Sequence, residues 1–192
     1  MAPWRLLLTR ALDKNSNLPY SRYFQLATVA ANGYPANRTV VFRGFLDDTN
    51  QLKFITDSRS QKVEQIQHQS WGEACWYFPD TREQFRLAGK LMLVGADAPN
   101  QTWQNARKTT WQNLSDSARL QFTWPHPGEV KDKDDSAFFL SPPAPEKPLP
   151  NFCLVLLEPA RVEHLNLRDN PQSRWLYQLD EGENWSTQAI NP

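Results

Sequence analysis

The stretch "YFQLATVAANGYPANRTVVFRGFL" (residues 23–46) decides the fold. Residues 23–30 and 37–46 carry apolar and β-branched side chains in near alternation, the period of a half-buried strand. Asn32-Gly33 lies between them and tolerates the φ > 0 of a tight hairpin turn. An antiparallel pair is expected here, and the same signal continues downstream. "DDTNQ" (47–51) makes the next turn and "LKFIT" (52–56) a third strand. "EACWYFP" (73–79) and "EQFRLAGKLMLVG" (83–95) add two more, joined at Asp80-Thr81-Arg82. "FCLVLLEPARVEHLNL" (152–167), "RWLYQL" (174–179) and "NWSTQAINP" (184–192) close the series.

Helices are few. Trp4, Leu7, Leu8, Ala11 and Leu12 recur at helical spacing over residues 3–13, and a second helix is expected over 59–69. Residues 99–122 look helical, with Ser115 capping a further helix. Seven prolines among many charges mark 125–150 as a long ordered loop or lid. Helices do not alternate with strands, so a parallel α/β sheet is disfavoured. The expectation is one mainly β (α+β) domain over residues 1–192, an antiparallel barrel with flanking helices.

Charge and motifs narrow the function. Lys plus Arg and Asp plus Glu number 21 each, which argues against bulk binding to nucleic acid or an anionic membrane. Cys75 and Cys153 form no C-x-x-C pair and read as free thiols in a reducing compartment. The apolar run near the start is too short for a signal-peptide core, and a cytoplasmic protein is expected. Neither G-x-G-x-x-G nor a Walker motif is present. His68, His126 and His164 lack metal-ligand spacing, and no nucleophile elbow appears, so neither a metal site nor a serine triad is expected. Trp103, Trp111 and Trp124 are read as core, with one or two of them free to line an aromatic mouth. The "LMLV" and "FCLVLL" runs offer more apolar strand surface than one small barrel is expected to hide, which favours a two-fold copy of the chain.

"FITDSRSQKVEQI" (54–66) crowds hydroxyls and cations where a strand meets a helix. Ser58 with Gln61 fits a capping box, and Val63 and Ile66 should face the core. Free N–H groups of a first helical turn, Thr56, Ser60, Arg59 and Lys62 would converge as a phosphate site does. Arg38 on the preceding strand can add a guanidinium, a good phosphate partner. Arg43 falls on the opposite face of a regular strand and can join that site only through a bulge at Arg43-Gly44 or a twist of the chain edge; otherwise the two arginines serve two sites across a dimer. Gln84 in "REQFRLAGK" offers donors and an acceptor to a uracil-like ring edge.

The order R-x-V-x-x-R (38–43), F-I-T-D-x-x-S-x-K (54–62), R-E-Q-F-R-L-x-G-K (82–90), R-W-L-Y (174–177), Trp185 and A-I-N-P (189–192) resembles the pyridoxamine 5′-phosphate oxidase-like family of FMN-binding split barrels. The resemblance runs from about Tyr20 to Pro192. It implies a six-stranded antiparallel split β-barrel, FMN as cofactor, and a homodimer with two flavin sites at its interface. By position it assigns Arg38, Val41, Ile55, Thr56, Ser60, Gln61 and Lys62 to the flavin, with Arg59 supplying the charge that Gln61 lacks. Gln84, His164 and Arg174 are placed around the flavin ring, and Arg43 on the substrate side. Asn170 and Gln172 stand where the oxidases carry the Arg-x-His pair that orients their substrate. The implied function is an FMN-dependent oxidoreductase acting on a small molecule other than pyridoxamine 5′-phosphate. The alternative is a flavin-binding or carrier module without turnover.

Overall fold

The structure, a computed structural model, describes residues 1–131 and 133–192. Helix α1 (Pro3–Lys14) precedes the hairpin β1 (Tyr23–Val29) and β2 (Pro35–Val41). Then come β3 (Leu52–Asp57), α2 (Gln61–His68), β4 (Trp71–Phe78), β5 (Glu83–Val94), α3 (Gln101–Gln112) and α4 (Asp116–Leu120). Strands β6 (Phe152–Asn166), β7 (Ser173–Leu179) and β8 (Trp185–Ile190) complete the chain. The expected hairpin turn forms, with Gly33 at φ 82°. Ser115 caps α4 as its sequence predicts, accepting from the Ala118 N–H at 3.3 Å.

The strands form one antiparallel sheet in the order β2-β1-β4-β5-β6-β7-β8, with β3 also on β6. The length of β6 explains the split. Its first half, Phe152–Leu157, pairs with β3, while Arg161–Asn166 pairs with β7. Six strands, β1 to β6, therefore curl into the barrel. The β7-β8 hairpin extends the sheet beyond it, so eight strands share a fold in which the resemblance implied six. The curl closes beyond β2. There the Arg43 N–H donates to the Lys53 carbonyl and the Lys53 N–H donates to that of Gly44, both at 2.8 Å. Two residues thus oppose one, a bulge, and Gly44 takes the left-handed φ of 95° that a side chain resists.

Alternation fills the barrel with rings. Phe24, Phe54, Trp76, Phe78 and Phe85 are fully buried and meet mostly edge-on or tilted, with centroids between 5.2 and 5.9 Å apart. Such contacts add to plain area burial. The continuous run in β6 has a different explanation from the one its composition suggests. Val155 and Leu157 point into the barrel. Leu154 and Leu156 pack with Leu46 and Val94 under Trp103 and Ala106 of α3, and Phe152 packs with Trp111, Leu114 and Phe122. Both faces are covered within one chain, as in a sheet buried between layers, so this run requires no second copy.

Strands β5 and β6 approach closely at Gly89, where the register slips between Ala88 and Gly89. A Cβ on Gly89 would sit 1.9 Å from the Glu158 carbonyl oxygen, whereas one on Gly95 would meet nothing within 4 Å. Urea unfolding should find Gly89→Ala destabilised by about 3 kcal/mol through overpacking. Gly95→Ala should stay within about 0.5 kcal/mol of the parent. Equal stability of the two variants would contradict this close approach.

Candidate functional site

The site begins at an unpaired strand edge. The Phe42 N–H donates to the Arg22 carbonyl at 2.8 Å. In an antiparallel ladder the bonding direction alternates, so Thr39 and Val41 turn their N–H groups outward from β1. Among the described residues no strand covers β2 there. A cavity of about 700 Å³ fills the gap between β2 and the end of β3. Arg38, Val41 and Arg43 line it from one side, Ile55, Thr56, Asp57, Arg59 and Lys62 from the other. The bulge lets Arg38 and Arg43 reach one cavity.

Two cations gather at its inner end. Arg38 donates to Thr28 Oγ1 at 2.5 Å, to Gln65 Oε1 at 2.7 Å and to the Leu26 carbonyl at 3.3 Å. Lys62 Nζ donates to Thr56 Oγ1 at 2.9 Å and Ser60 Oγ at 3.0 Å. These partners are neutral, so they orient the cations without discharging them. Burial lowers the Lys62 pKa, the Arg38 charge lowers it further, and Asp57 opposes both in part. Burial likewise lowers that of Arg38. Such a pair gains from a bound anion. Arg43 is also partly buried, its pKa lowered by burial and by Arg22, and its Nε is buried without a hydrogen-bond partner among the described residues.

Several expectations change here. Helix α2 starts at Gln61 with Ser60 as its N-cap residue, so the box at Ser58 and Gln61 does not form. Asp57 supplants it, accepting from the Arg59 N–H at 2.8 Å. Arg59 is committed to that carboxylate as well, Nε to Oδ1 at 2.9 Å and Nη2 to Oδ2 at 2.7 Å. It lines the cavity as an ion pair and not as a spare charge. Ser60 is buried beside Lys62, while Gln61 is exposed. Val63 and Ile66 are buried as expected. Trp111 is core; Trp124 lines the cavity with Pro125, His126, Val130 and Phe138. The 125–150 segment thus supplies one wall. Asp57, Thr28, Gln65 and Asn151 escape a sequence reading because each acts through a distant partner; only the Asp-x-Arg spacing at 57–59 hints at one of them.

Gln84, His164 and Arg174 lie away from this cavity. Gln84 and Arg174 face outward from the sheet. There Glu163, 4% exposed, takes Arg174 through Nε at 3.0 Å, Arg161 at 2.6 Å and Arg86 at 3.7 Å. Burial would raise the Glu163 pKa, but the hydrogen bond from Arg174 and the arginine charges carry it below the usual carboxylate range. Arg82 is left in the turn at φ 55°, outside the face of Gln84, Arg86 and Lys90. His164 lies on the other face, stacked on Phe85 at 4.4 Å and 2.9 Å from Glu83 Oε1 through Nε2. Burial lowers its pKa despite Glu83.

The profile described as "Pyridoxamine 5'-phosphate oxidase, FMN-binding domain" matches residues 1–95, which hold β1 to β5 and both cations. Over 195 aligned residues the chain is 40% identical to an Arabidopsis thaliana protein named pyridoxine/pyridoxamine 5'-phosphate oxidase 2, covering 100% of this chain and 98% of the relative.

The chain belongs to the pyridoxamine 5′-phosphate oxidase family.

A solved structure from Nostoc punctiforme, described as a pyridoxamine 5'-phosphate oxidase-related, FMN binding protein, superposes with a TM-score of 0.97. It is 59% identical, over 100% of this chain and 99% of that one. PhzG from Burkholderia lata, at 20% identity and a TM-score of 0.78, shares the fold. FMN is the family member's cofactor, and the residues present fit it. Two oriented, undischarged cations suit a phosphate, and an open strand edge beside them suits a flat polar ring. Among the described residues no group of three or more His, Cys, Asp or Glu could hold a metal ion, and no helix is long and apolar enough to cross a membrane.

The Lys62 environment gives a pH dependence with a definite sign. A lysine whose folded pKa is lowered is charged, and able to bind phosphate, only below that value. FMN affinity should fall as pH rises through the folded pKa, earlier than an ordinary lysine titrates. Riboflavin, without phosphate, should show no such limb. Fluorescence titration of Lys62→Met should find the limb gone and FMN bound about tenfold more weakly or worse, the loss expected of a charged hydrogen bond. A limb shared by riboflavin would place the titrating group elsewhere.

Proposed function

We propose that the protein is an FMN-dependent oxidoreductase acting on a small molecule. The carrying observation is the shape of the cavity. From the Arg38–Lys62 end it continues to Arg43, Trp124 and Phe138, with 124–131 as a wall and not a plug. A carrier needs no such approach to the ring, whereas an enzyme does. The flavin would supply hydride chemistry, and the chain binding, orientation and charge. Arg38 and Lys62 would hold the phosphate, with Thr56 and Ser60 orienting Lys62. Ile55 and the Val41 edge would flank the flavin, and Arg43 would meet the substrate. The intracellular, reducing compartment expected from the two free thiols suits this chemistry.

Pyridoxamine 5′-phosphate is not the substrate in this reading. Asn170 and Gln172, exposed in the β6–β7 turn, carry no charge where the resemblance places Arg and His. Purified FMN-loaded protein should oxidise pyridoxamine 5′-phosphate negligibly in an oxygen-consumption assay. Turnover with KM in the usual enzyme range, about 1 μM–1 mM, would make it an oxidase like its Arabidopsis relative's name.

The site is completed by a second copy. Tyr23, Trp71 and Tyr77 remain 46%, 45% and 46% exposed on the outer face of the sheet, around Gln84 and the Glu163 arginines. Tyr23 also lines the cavity. A partner seated on this face would bring Gln84 and Arg174 towards the flavin bound by Arg38. Binding and dimerisation are then linked by mass action. Sedimentation over a dilution series should find FMN holding the dimer together at concentrations where the apo-protein separates. A monomer with undiminished FMN affinity would show that one chain suffices.

A further inference from the structure

We propose that Asp57 is a positioning residue that clasps a lid: one carboxylate fastens both ends of the 122–151 segment to the turn that holds the flavin phosphate. The proposal rests on the phosphate lying at Arg38 and Lys62.

The contacts converge on Asp57, whose side chain is 14% exposed. Oδ1 accepts from Arg59 N and Nε, Oδ2 from Arg59 Nη2 and, at 2.7 Å, from Asn151 Nδ2. Each donor continues into the segment. Arg59 Nη2 also donates to the Trp124 carbonyl at 3.1 Å. Asn151 Nδ2 also donates to the Phe122 carbonyl at 2.9 Å, and the Asn151 carbonyl accepts from the Ser58 N–H at 2.8 Å. The entry and exit of the loop are thereby tied to each other and to the residue beside Thr56, itself a partner of Lys62.

The two halves of the segment are held differently. The rear is pinned to the helices: Trp111 Nε1 donates to the Ala144 carbonyl at 3.0 Å, Arg119 Nε to that of Pro143 at 3.1 Å, and Arg107 Nη2 to that of Leu149 at 2.8 Å. The front, Trp124 to Lys131, walls the cavity and joins the barrel through the Trp124 carbonyl on Arg59. Burial alone would raise the Asp57 pKa, but the bonds from Arg59 and Asn151 hold it below the usual carboxylate range, so the clasp stays charged at neutral pH. A phosphate that orders the 57–62 turn must then also order the wall, because they share this carboxylate. Arg59 becomes a strut of the lid rather than a phosphate ligand.

Hydrogen exchange on the full chain, apo and saturated with FMN or riboflavin, tests the coupling. In the parent, FMN should slow exchange across 124–131 severalfold more than riboflavin does. Asp57→Asn places amide hydrogens against the donors of Arg59 and Asn151. Arg59→Met cuts the link to the Trp124 carbonyl while leaving Asn151 on Asp57, and so serves if the first variant folds poorly. In either variant the FMN-specific protection of 124–131 should vanish while β4 and β5 exchange as before, and Asp57→Glu should restore part of it. The visible circular dichroism of bound FMN should change in parallel. Lid exchange that responds alike to FMN and riboflavin in the parent, or that survives both substitutions, overturns the clasp. Equal affinity of the parent for FMN and riboflavin would instead overturn the phosphate assignment on which it rests.

Discussion

The bulge at Arg43-Gly44 divides one strand edge into a bonded part and an open part. Beyond it, Lys53 closes the barrel; before it, Thr39 and Val41 turn their backbone groups towards a cavity. A regular strand would have paired β2 with β3 along its length and filled the gap with ladder bonds. It would also have sent Arg38 and Arg43 to opposite faces. The bulge therefore makes the site possible twice over, by leaving room and by aiming a second arginine into it. Strand β6 supports this by holding β3 along its first half and β7 along its second. The barrel is thus anchored on one side of the gap while β2 stays free on the other.

The local signals in the sequence were strong wherever the cause was local. Asn32-Gly33 forms its turn, Ser115 caps its helix, and alternation sorts Phe24, Trp76 and Phe85 inward. Thr56 and Lys62 could be grouped because a strand end and a helix start are adjacent in the chain, and Arg38 joins them from the preceding strand. The failures arise where a distant residue decides. "FCLVLL" reads as surplus apolar surface, yet α3 and the rings around Phe152 cover it. Periodicity cannot distinguish a strand covered by its own chain from one covered by another. The Ser58 box loses to Asp57, since a carboxylate already held by Asn151 and Arg59 offers the better acceptor to that turn. Arg59 looked like a phosphate ligand because its partner, two residues earlier, reads as an ordinary strand end.

Electrostatics separates the spent cations from the free ones. Arg59 is answered by Asp57, and Arg174 by Glu163, while Arg38 and Lys62 meet neutral oxygens. Partly buried positive charge of this kind is costly when left alone and selective for an anion when one arrives. In the proposed reading the phosphate of FMN is that anion, and the account requires it to be bound as the dianion. Phosphorus NMR of the FMN complex, followed from about pH 5 to about pH 8, reads its charge directly, because a free phosphate monoester titrates near pH 6. The account predicts a bound resonance that does not move over this range in the parent protein. A bound resonance that titrates as free FMN does would contradict it, since the phosphate would then lie in water and not between Arg38 and Lys62.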